Sequence, residues 1–269
     1  MKRGLICKPS KYSFSVGRKV YHLIGNAMLE YKIAEYMGER GYSIEEIGKK
    51  ADEILIVGGD GTILMTLQHT SKPVFPINTG RIGFLTEVEA KEAEESIKKI
   101  LNREYYIEER IKIGGKIGRK SLPDASNEIT IHTANVGKIL SIKLYVDDVL
   151  TQSFSGDGLI ISTPMGSTSY SLSAGGPIAD PTLKIFIIAP IAPFRHIASS
   201  VVIPSVKKLK IKVAKPAKVV VDGMSVFDFS PRQKLEIFEA EEKARFIKIK
   251  DNFYSKVYKK LSFRYPKSL

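Results

Sequence analysis

The sequence predicts an α/β N-terminal domain built on a parallel sheet, followed by a β-rich, sandwich-like C-terminal domain whose last segment returns to the first. Three observations carry that reading. Up to about residue 104, apolar runs rich in β-branched residues alternate with stretches whose apolar residues fall at threes and fours, the pattern of parallel strands joined by crossover helices. From about Tyr105 the period changes to short strand-like runs parted by turn residues. The stretch Phe253 to Leu261 then regains aromatic and apolar residues at helix-like spacing. The expected domains are 1–104, 105–250 and a returning segment 251–269, with a hinge near 102–106 and the ligand between the domains.

Taken in order, residues 2–8 read as a first strand closed by Pro9. Val20, Leu23, Ile24, Ala27, Met28, Tyr31, Ala34 and Met37 predict one amphipathic helix over 16–40, ending near Gly41. Little structure is expected over 42–52. The apolar run Glu53 to Val57 then enters the turn Val57-Gly58-Gly59-Asp60-Gly61-Thr62, and Ile63 to Leu67 leaves it at helical spacing. Pro73 to Asn78 is a third strand, Thr79 to Leu85 a glycine-punctuated loop, and 89–102 a charged helix. Ligands of open parallel sheets sit at the carboxyl ends of the strands, which places Asp60 and Asn78-Thr79-Gly80 on that rim. In the β-rich part, strands are expected over 107–113, 129–131, 139–146, 159–161, 201–203, 209–213, 219–221 and 235–237. One helical interruption is expected at 168–174.

Composition narrows the function classes. The chain has 269 residues, 43% hydrophobic and 26% charged, enough for one large or two ordinary domains with real cores. No apolar run reaches the roughly 20 residues that span a bilayer, and the opening residues lead into a strand, so a soluble protein of the cytoplasm, with no membrane partner, is the expectation. A single cysteine, Cys7, excludes an internal disulfide and a cysteine metal cluster. The net charge of +13 suits polyanionic small substrates or a lysine-rich solubilising surface. Nucleic acid is not expected as a partner, because the lysines are scattered rather than gathered with aromatics in one module.

Two stretches carry chemistry. In the loop after the second strand, glycines admit close approach of a ligand and the helix start supplies unpaired N–H groups that favour phosphate. Asp60 stands against that reading, since a carboxylate repels phosphate unless it takes a proton or holds a metal; the combination points to phosphoryl transfer. The second stretch, Gly156 to Pro177, follows a strand with a run of hydroxyls and glycines suited to sugar or phosphate. Asn127-Glu128, an amide beside a carboxylate, suits ribose hydroxyls and base edges.

Gly58-Gly59-Asp60-Gly61-Thr62, the segment Asn78 to Thr86, Asn127-Glu128 and the segment Gly156 to Pro177 resemble, in order and spacing, the signatures of NAD kinases. Pro190-Ile191-Ala192-Pro193, Asp222-Gly223 and the terminal stretch match that family's later landmarks. The five-residue loop alone is shared with lipid kinases and phosphofructokinases. The resemblance implies phosphoryl transfer from ATP or polyphosphate to the 2′-hydroxyl of the adenosine ribose of NAD, with Mg²⁺ or another divalent cation shared with the donor phosphates.

It further implies Asp60 as the catalytic carboxylate, acting as base or as metal ligand, with Gly58, Gly59, Thr62 and Arg81 on the phosphate donor. NAD contacts are implied at Gly61, Asn127, Glu128, Lys138, Asp157, Thr168, Ser169, Tyr170, Ser171, Leu172, Ser173 and Ala192. Asp157 would act within its own subunit or from a neighbouring one, and a homodimer or homotetramer is the expected assembly. Phe194 replaces the histidine usual after the second proline, with His196 two residues on, and Met165 and Met224 stand where polar residues are common. The alternatives are a lipid kinase on the same loop and a non-catalytic dinucleotide or nucleic-acid binder.

Overall fold

The computed structural model describes residues 1–80, 83–135, 137–194 and 198–261. Two compact units emerge, one made of Met1–Glu108 with the chain from Arg245 onward, the other of Glu109–Ala244. The first unit runs through β1 (Arg3–Cys7), α1 (Lys11–Ile24), β2 (Met28–Glu30), α2 (Tyr31–Met37), β3 (Gly41–Tyr42), α3 (Ile44–Lys50) and β4 (Glu53–Gly58). It continues with α4 (Asp60–Leu67), β5 (Val74–Asn78), β6 (Val88–Glu89), α5 (Ala93–Leu101) and β7 (Tyr106–Arg110). The second unit contains β8 (Ile113–Ile117), β9 (Lys120–Ser121), β10 (Glu128–Thr133), β11 (Leu140–Val146), β12 (Val149–Gly156) and β13 (Gly158–Ser162). After the short helix α6 (Tyr170–Ser173) come β14 (Ile185–Ile191), β15 (Val201–Pro204), β16 (Leu209–Val213), β17 (Ala217–Val221), β18 (Ser225–Phe229) and β19 (Leu235–Glu239). Finally β20 (Ala244–Lys248) and α7 (Phe253–Leu261) bring the chain back to the first unit.

The first sheet has the order β3-β2-β1-β4-β5-β20-β7, with β6 also beside β5. Its central strands are parallel and in register, Arg3 opposite Glu53 and Ile54 opposite Val74. β4 is buried along its whole length, as a strand covered on both faces must be. The second unit is a sandwich of two antiparallel sheets, β15-β14-β13-β10-β17-β18 and β12-β11-β16-β19-β8-β9. Ile129, Ile131, Leu159, Ile161, Val219 and Val221 of one sheet share a core with Ile142, Leu144, Leu209, Ile211, Leu235 and Ile237 of the other. Each such side chain stabilises the fold by roughly 1.5–3 kcal/mol relative to exposure. Because Ile129 and Ile131 fill the core, the alternation of β10 turns Glu128, Thr130 and His132 to the opposite face.

The single helix expected over 16–40 is divided. α1 begins at Lys11, capped by Ser10, whose Oγ accepts the Ser13 N–H at 3.1 Å. It stops at Gly25, where φ is +81°, a conformation natural to glycine. Leu29 then enters the sheet opposite Leu5 and is buried there, while Ile33 and Ala34 form the inner face of α2. The threes-and-fours spacing thus served a helix, a strand and a second helix in turn. The stretch 42–52, expected to carry little, holds α3, started by a capping box in which Ser43 and Glu46 satisfy each other's N–H at 3.1 Å. The strand expected over 107–113 is likewise two, β7 and β8.

Candidate active site

The turn from β4 into α4 places the glycine loop at the carboxyl end of a buried strand. Gly58 pairs with Asn78 on β5, Thr79 donates its N–H to Gly58 O at 3.1 Å, and Gly59 caps α4 through its backbone alone. The glycines differ in purpose. A Cβ at Gly58 would press on Thr62 at 2.7 Å, whereas Gly59 and Gly61 have nothing within 4 Å of the position a Cβ would take, leaving their backbone open to a ligand. Asp60 opens the helix and is not left to repel an anion there. Its Oδ2 accepts the Phe84 N–H at 2.9 Å and its Oδ1 the Leu85 N–H at 3.2 Å, so the 83–85 loop fixes the carboxylate. Gly83 is required for this fit, since a Cβ there would overlap Asp60 Oδ1. Asn78, fully enclosed at the end of β5, donates to both Glu89 oxygens at 3.0 and 3.1 Å and accepts the Gly80 N–H at 3.0 Å, holding the rim. Thr62 lies in the first turn of α4 with Gly61; Arg81 lies outside the described residues.

In the second unit Asn127 and Glu128 stand at the start of β10, both nearly buried at 6% and 7% exposure. Their backbone is clamped by Asp222, in the turn between β17 and β18. Its carboxylate accepts the N–H groups of Ser126 at 2.8 Å, Asn127 at 2.8 Å and Glu128 at 3.1 Å. Asp222 has φ +48° and Gly223 φ +69°, a tight turn that lets a buried carboxylate face three amides. On the other side Thr163 donates its hydroxyl to Ser126 O at 2.7 Å and its N–H to Asn127 O at 2.8 Å. Gly166 lies so close to Asn127 O that no side chain fits there. The backbone is saturated, yet the side chains are not. Among the described residues six buried side-chain atoms have no hydrogen-bond partner: Ser126 Oγ, Asn127 Oδ1, Glu128 Oε2 and Ser171 Oγ in this part of the second unit, and Gln68 Nε2 and Gln152 Oε1 elsewhere. Burial, with the Asp222 charge adding to it, pushes the Glu128 carboxyl up to about 7, against an opposing contribution from the Ser169 hydroxyl.

The hydroxyl-rich segment forms a 3₁₀ turn over Met165–Thr168 and then α6, which carries Tyr170, Ser171, Leu172 and Ser173 after Thr168 and Ser169; of these, Ser169 meets the Glu128 carboxyl. Tyr170 stacks on His132 with ring centroids 5.9 Å apart and planes 14° from parallel. Burial lowers the His132 pKa, and the nearby Asp157 charge opposes that shift. Asp157 is exposed between β12 and β13, its N–H donated to Ile191 O at 2.9 Å. The next residue, Ala192, is exposed with φ +44°, a left-handed conformation that an alanine adopts only under constraint. Lys138 sits in the exposed β10–β11 turn, away from the Asn127-Glu128 backbone clamp. Met165 is buried and Met224 exposed, while His196 lies outside the described residues. Three residues escaped the reading of the sequence. Asp222 was noted only as a landmark, Thr163 only as one of a run, and His132 not at all, although its place two residues on from Thr130 and four from Glu128 puts it on the same strand face.

Among the described residues, no three of His, Cys, Asp and Glu gather to hold a metal. Asp60, with one N–H on each oxygen and lone pairs to spare, fits a divalent cation shared with donor phosphates rather than caged by the protein.

The glycine-rich strand-to-helix turn with its fixed carboxylate is of the kind that serves phosphoryl transfer. The ATP-NAD kinase N-terminal domain model matches residues 4–105, and the ATP-NAD kinase C-terminal domain model matches 126–249. The NAD kinase of Thermoplasma volcanium is 35% identical over 259 residues, covering 94% of each chain. That of Pyrococcus abyssi is 38% identical over 252 residues, covering 85% of this chain and 91% of its own. A crystal structure of an NAD kinase from Archaeoglobus fulgidus in complex with ATP superposes with a TM-score of 0.82 at 30% identity, covering 96% of this chain and 98% of that one. Yeast NADH kinase complexed with NADH shares the fold, with a TM-score of 0.91 at 20% identity over 100% of this chain and 89% of its own. The chain belongs to the NAD kinase family and is a kinase. Those matches do not favour the lipid-kinase or binding-protein alternatives.

Proposed function

We propose that this chain transfers a phosphoryl group from ATP, or from polyphosphate, to the 2′-hydroxyl of the adenosine ribose of NAD, giving NADP. The observation that carries this reading is the set of buried, unpartnered polar atoms at Ser126, Asn127, Glu128 and Ser171. Folded proteins rarely leave such atoms unpaired, and the hydroxyls and base edge of an adenosine would pair them. Tyr170, stacked on His132 and still 39% exposed, offers a flat face to the nucleoside, and Ala192 offers an exposed, left-handed backbone. The kinase activities of the archaeal relatives, and the ATP in the Archaeoglobus fulgidus structure, support NAD and ATP as the substrate pair.

In the transfer, the ribose 2′-oxygen forms a bond to the terminal phosphorus of the donor. The bond from that phosphorus to its bridging oxygen breaks, and the shortened donor leaves with the electron pair. Asp60 receives the hydroxyl proton, its direction set by the Phe84 and Leu85 amides. Gly59 and Gly61 leave their backbone bare toward the donor phosphates, and Thr62 closes the first turn of α4 beneath them. A divalent cation, Mg²⁺ or another, would neutralise the donor phosphates when bound; Asp60 is the protein ligand available to it, a role alternative to accepting the proton. We place the protein in the cytoplasm as a homodimer or homotetramer, in keeping with its composition and its resemblance to the family.

NADP formation from NAD with ATP and Mg²⁺, with polyphosphate and Mg²⁺, and with no donor tests the reading. Asp60→Asn should lower kcat by roughly 10²–10⁴-fold while NAD still binds. A wild-type protein that binds NAD and makes no NADP with either donor would overturn it.

A further inference from the structure

On the reading just given, catalysis depends on where the Asp60 carboxylate points, and that carboxylate is held by the N–H edge of the 84–85 segment. The carbonyl edge of the same segment is gripped by the returning chain. Lys256, in the first turn of α7, donates from Nζ to Phe84 O at 3.3 Å and to Thr86 O. Lys260, one turn on, places its Nζ 4.0 Å from the centre of the Phe84 ring. The next residue, Glu87, is fixed by the same returning chain. It accepts the N–H groups of Ile249 and Lys250 at 3.0 and 3.1 Å, pairs with Lys248 at 2.5 Å, and receives Asn252 Nδ2 on its carbonyl at 2.8 Å.

One peptide plane links the two ends. Phe84 C=O and Leu85 N–H belong to the same amide; Lys256 donates to its oxygen and Asp60 accepts from its nitrogen. A cation on the carbonyl polarises the amide and strengthens its N–H as a donor, so the ammonium reinforces the bond that aims the carboxylate. The packing of α7 argues that this contact serves more than the fold. No residue of the helix is buried, and Tyr254 and Tyr258 are 65% and 74% exposed.

We infer that Lys256 is a positioning residue for phosphoryl transfer, holding the carbonyl edge of residues 84–86 so that their amides fix Asp60. In that role it acts on Asp60 through the backbone of residues 84–86. Its removal therefore lowers turnover without weakening substrate binding, and only where Asp60 is present to be aimed.

The experiment measures kcat and KM for NAD and for ATP in the wild type, Lys256→Met, Lys256→Arg, Asp60→Asn and the double variant Lys256→Met/Asp60→Asn, with thermal unfolding of each. The wild-type rate comes first, and its absence would defeat the functional reading rather than this inference. Given wild-type turnover, Lys256→Met should lose about tenfold in kcat, the scale of one charge-assisted hydrogen bond, with both KM values within about twofold. Lys256→Arg, which keeps a cationic donor, should recover most of that loss. In the Asp60→Asn background the Lys256 substitution should have almost no further effect. An unchanged kcat, a raised KM for ATP with kcat intact, or the same tenfold loss with and without Asp60 would each overturn the assignment. Should Lys256→Met fail to fold, Lys256→Gln takes its place in the cycle. The split of kcat from KM and the arginine rescue decide the question even where Asp60→Asn leaves no turnover to compare.

Discussion

Glu128→Gln should make the protein more stable at alkaline pH and hardly change it in acid. Glu128 is 7% exposed, one of its oxygens has no partner, and it lies beside the equally buried Asp222. The carboxyl rises from an ordinary 4.5 to about 7. The folded protein therefore holds this proton more tightly than the unfolded chain does. The stability tied to that proton is fully present below pH 4.5 and is lost as pH climbs to about 7, beyond which the ionised carboxylate is a constant burden. A shift of that size corresponds to roughly 3 kcal/mol between the two protonation states. Glutamine keeps the shape and removes the charge, so its advantage over the wild type should be near zero at about pH 4 and approach ~3 kcal/mol at about pH 8. Urea unfolding of both proteins across that range, without nucleotide, measures the difference directly. Asp124 and Asp222, whose carboxyls are also raised by burial, are common to both proteins and largely cancel. A difference that stays flat between those pH values, or that favours the wild type at the alkaline end, would refute the claim that Glu128 is held as a strained, buried acid.

Gly83→Ala should cost about 1–3 kcal/mol of stability and depress kcat, because its Cβ would displace the Asp60 carboxylate; thermal unfolding together with steady-state NADP formation reads both. Asp222→Asn leaves one acceptor oxygen for three amides, so it should destabilise the protein by about 1–3 kcal/mol and raise KM for NAD more than it lowers kcat, measured by urea unfolding and by kinetics at varied NAD.

The glycine loop could be placed from the chain alone because an apolar run enters it and helical spacing leaves it, and the structure puts Asp60 at that junction of β4 and α4. The hydroxyl run after β13 was legible for the same reason, composition unlike ordinary sandwich strands. Other parts left no local mark. Apolar residues at threes and fours look alike whether they serve one helix or a helix, a strand and a second helix, and only the turn at Gly25 and the pairing of Leu29 with Leu5 separate them. β14 reads as a continuous apolar run with a proline near its end, which hides its period, and β12 is mostly exposed, which weakens its alternation. Asp222 serves residues about ninety-five positions away through their backbone amides, and backbone donors have no side-chain signature. The same holds for Lys256, whose partners are carbonyl oxygens.

The two carboxylates that matter most are held in opposite ways, and the contrast follows from what each would do. Asp60 has an amide on each oxygen, from a loop shaped around it by Gly83, so it is aimed before any substrate arrives. A group that takes a proton or meets a cation gains from such prior alignment, since little reorganisation then accompanies the transfer. Glu128 is instead fixed by its backbone while one of its oxygens is left bare, and the neighbouring Asn127 and Ser126 side chains are bare as well. An arrangement of that kind leaves polar atoms that a bound ligand can pair. On the proposed function, substrate selection and chemistry would be separated in kind: recognition would rest on unsatisfied polar atoms that a nucleoside completes, and catalysis on a satisfied carboxylate that nothing needs to move.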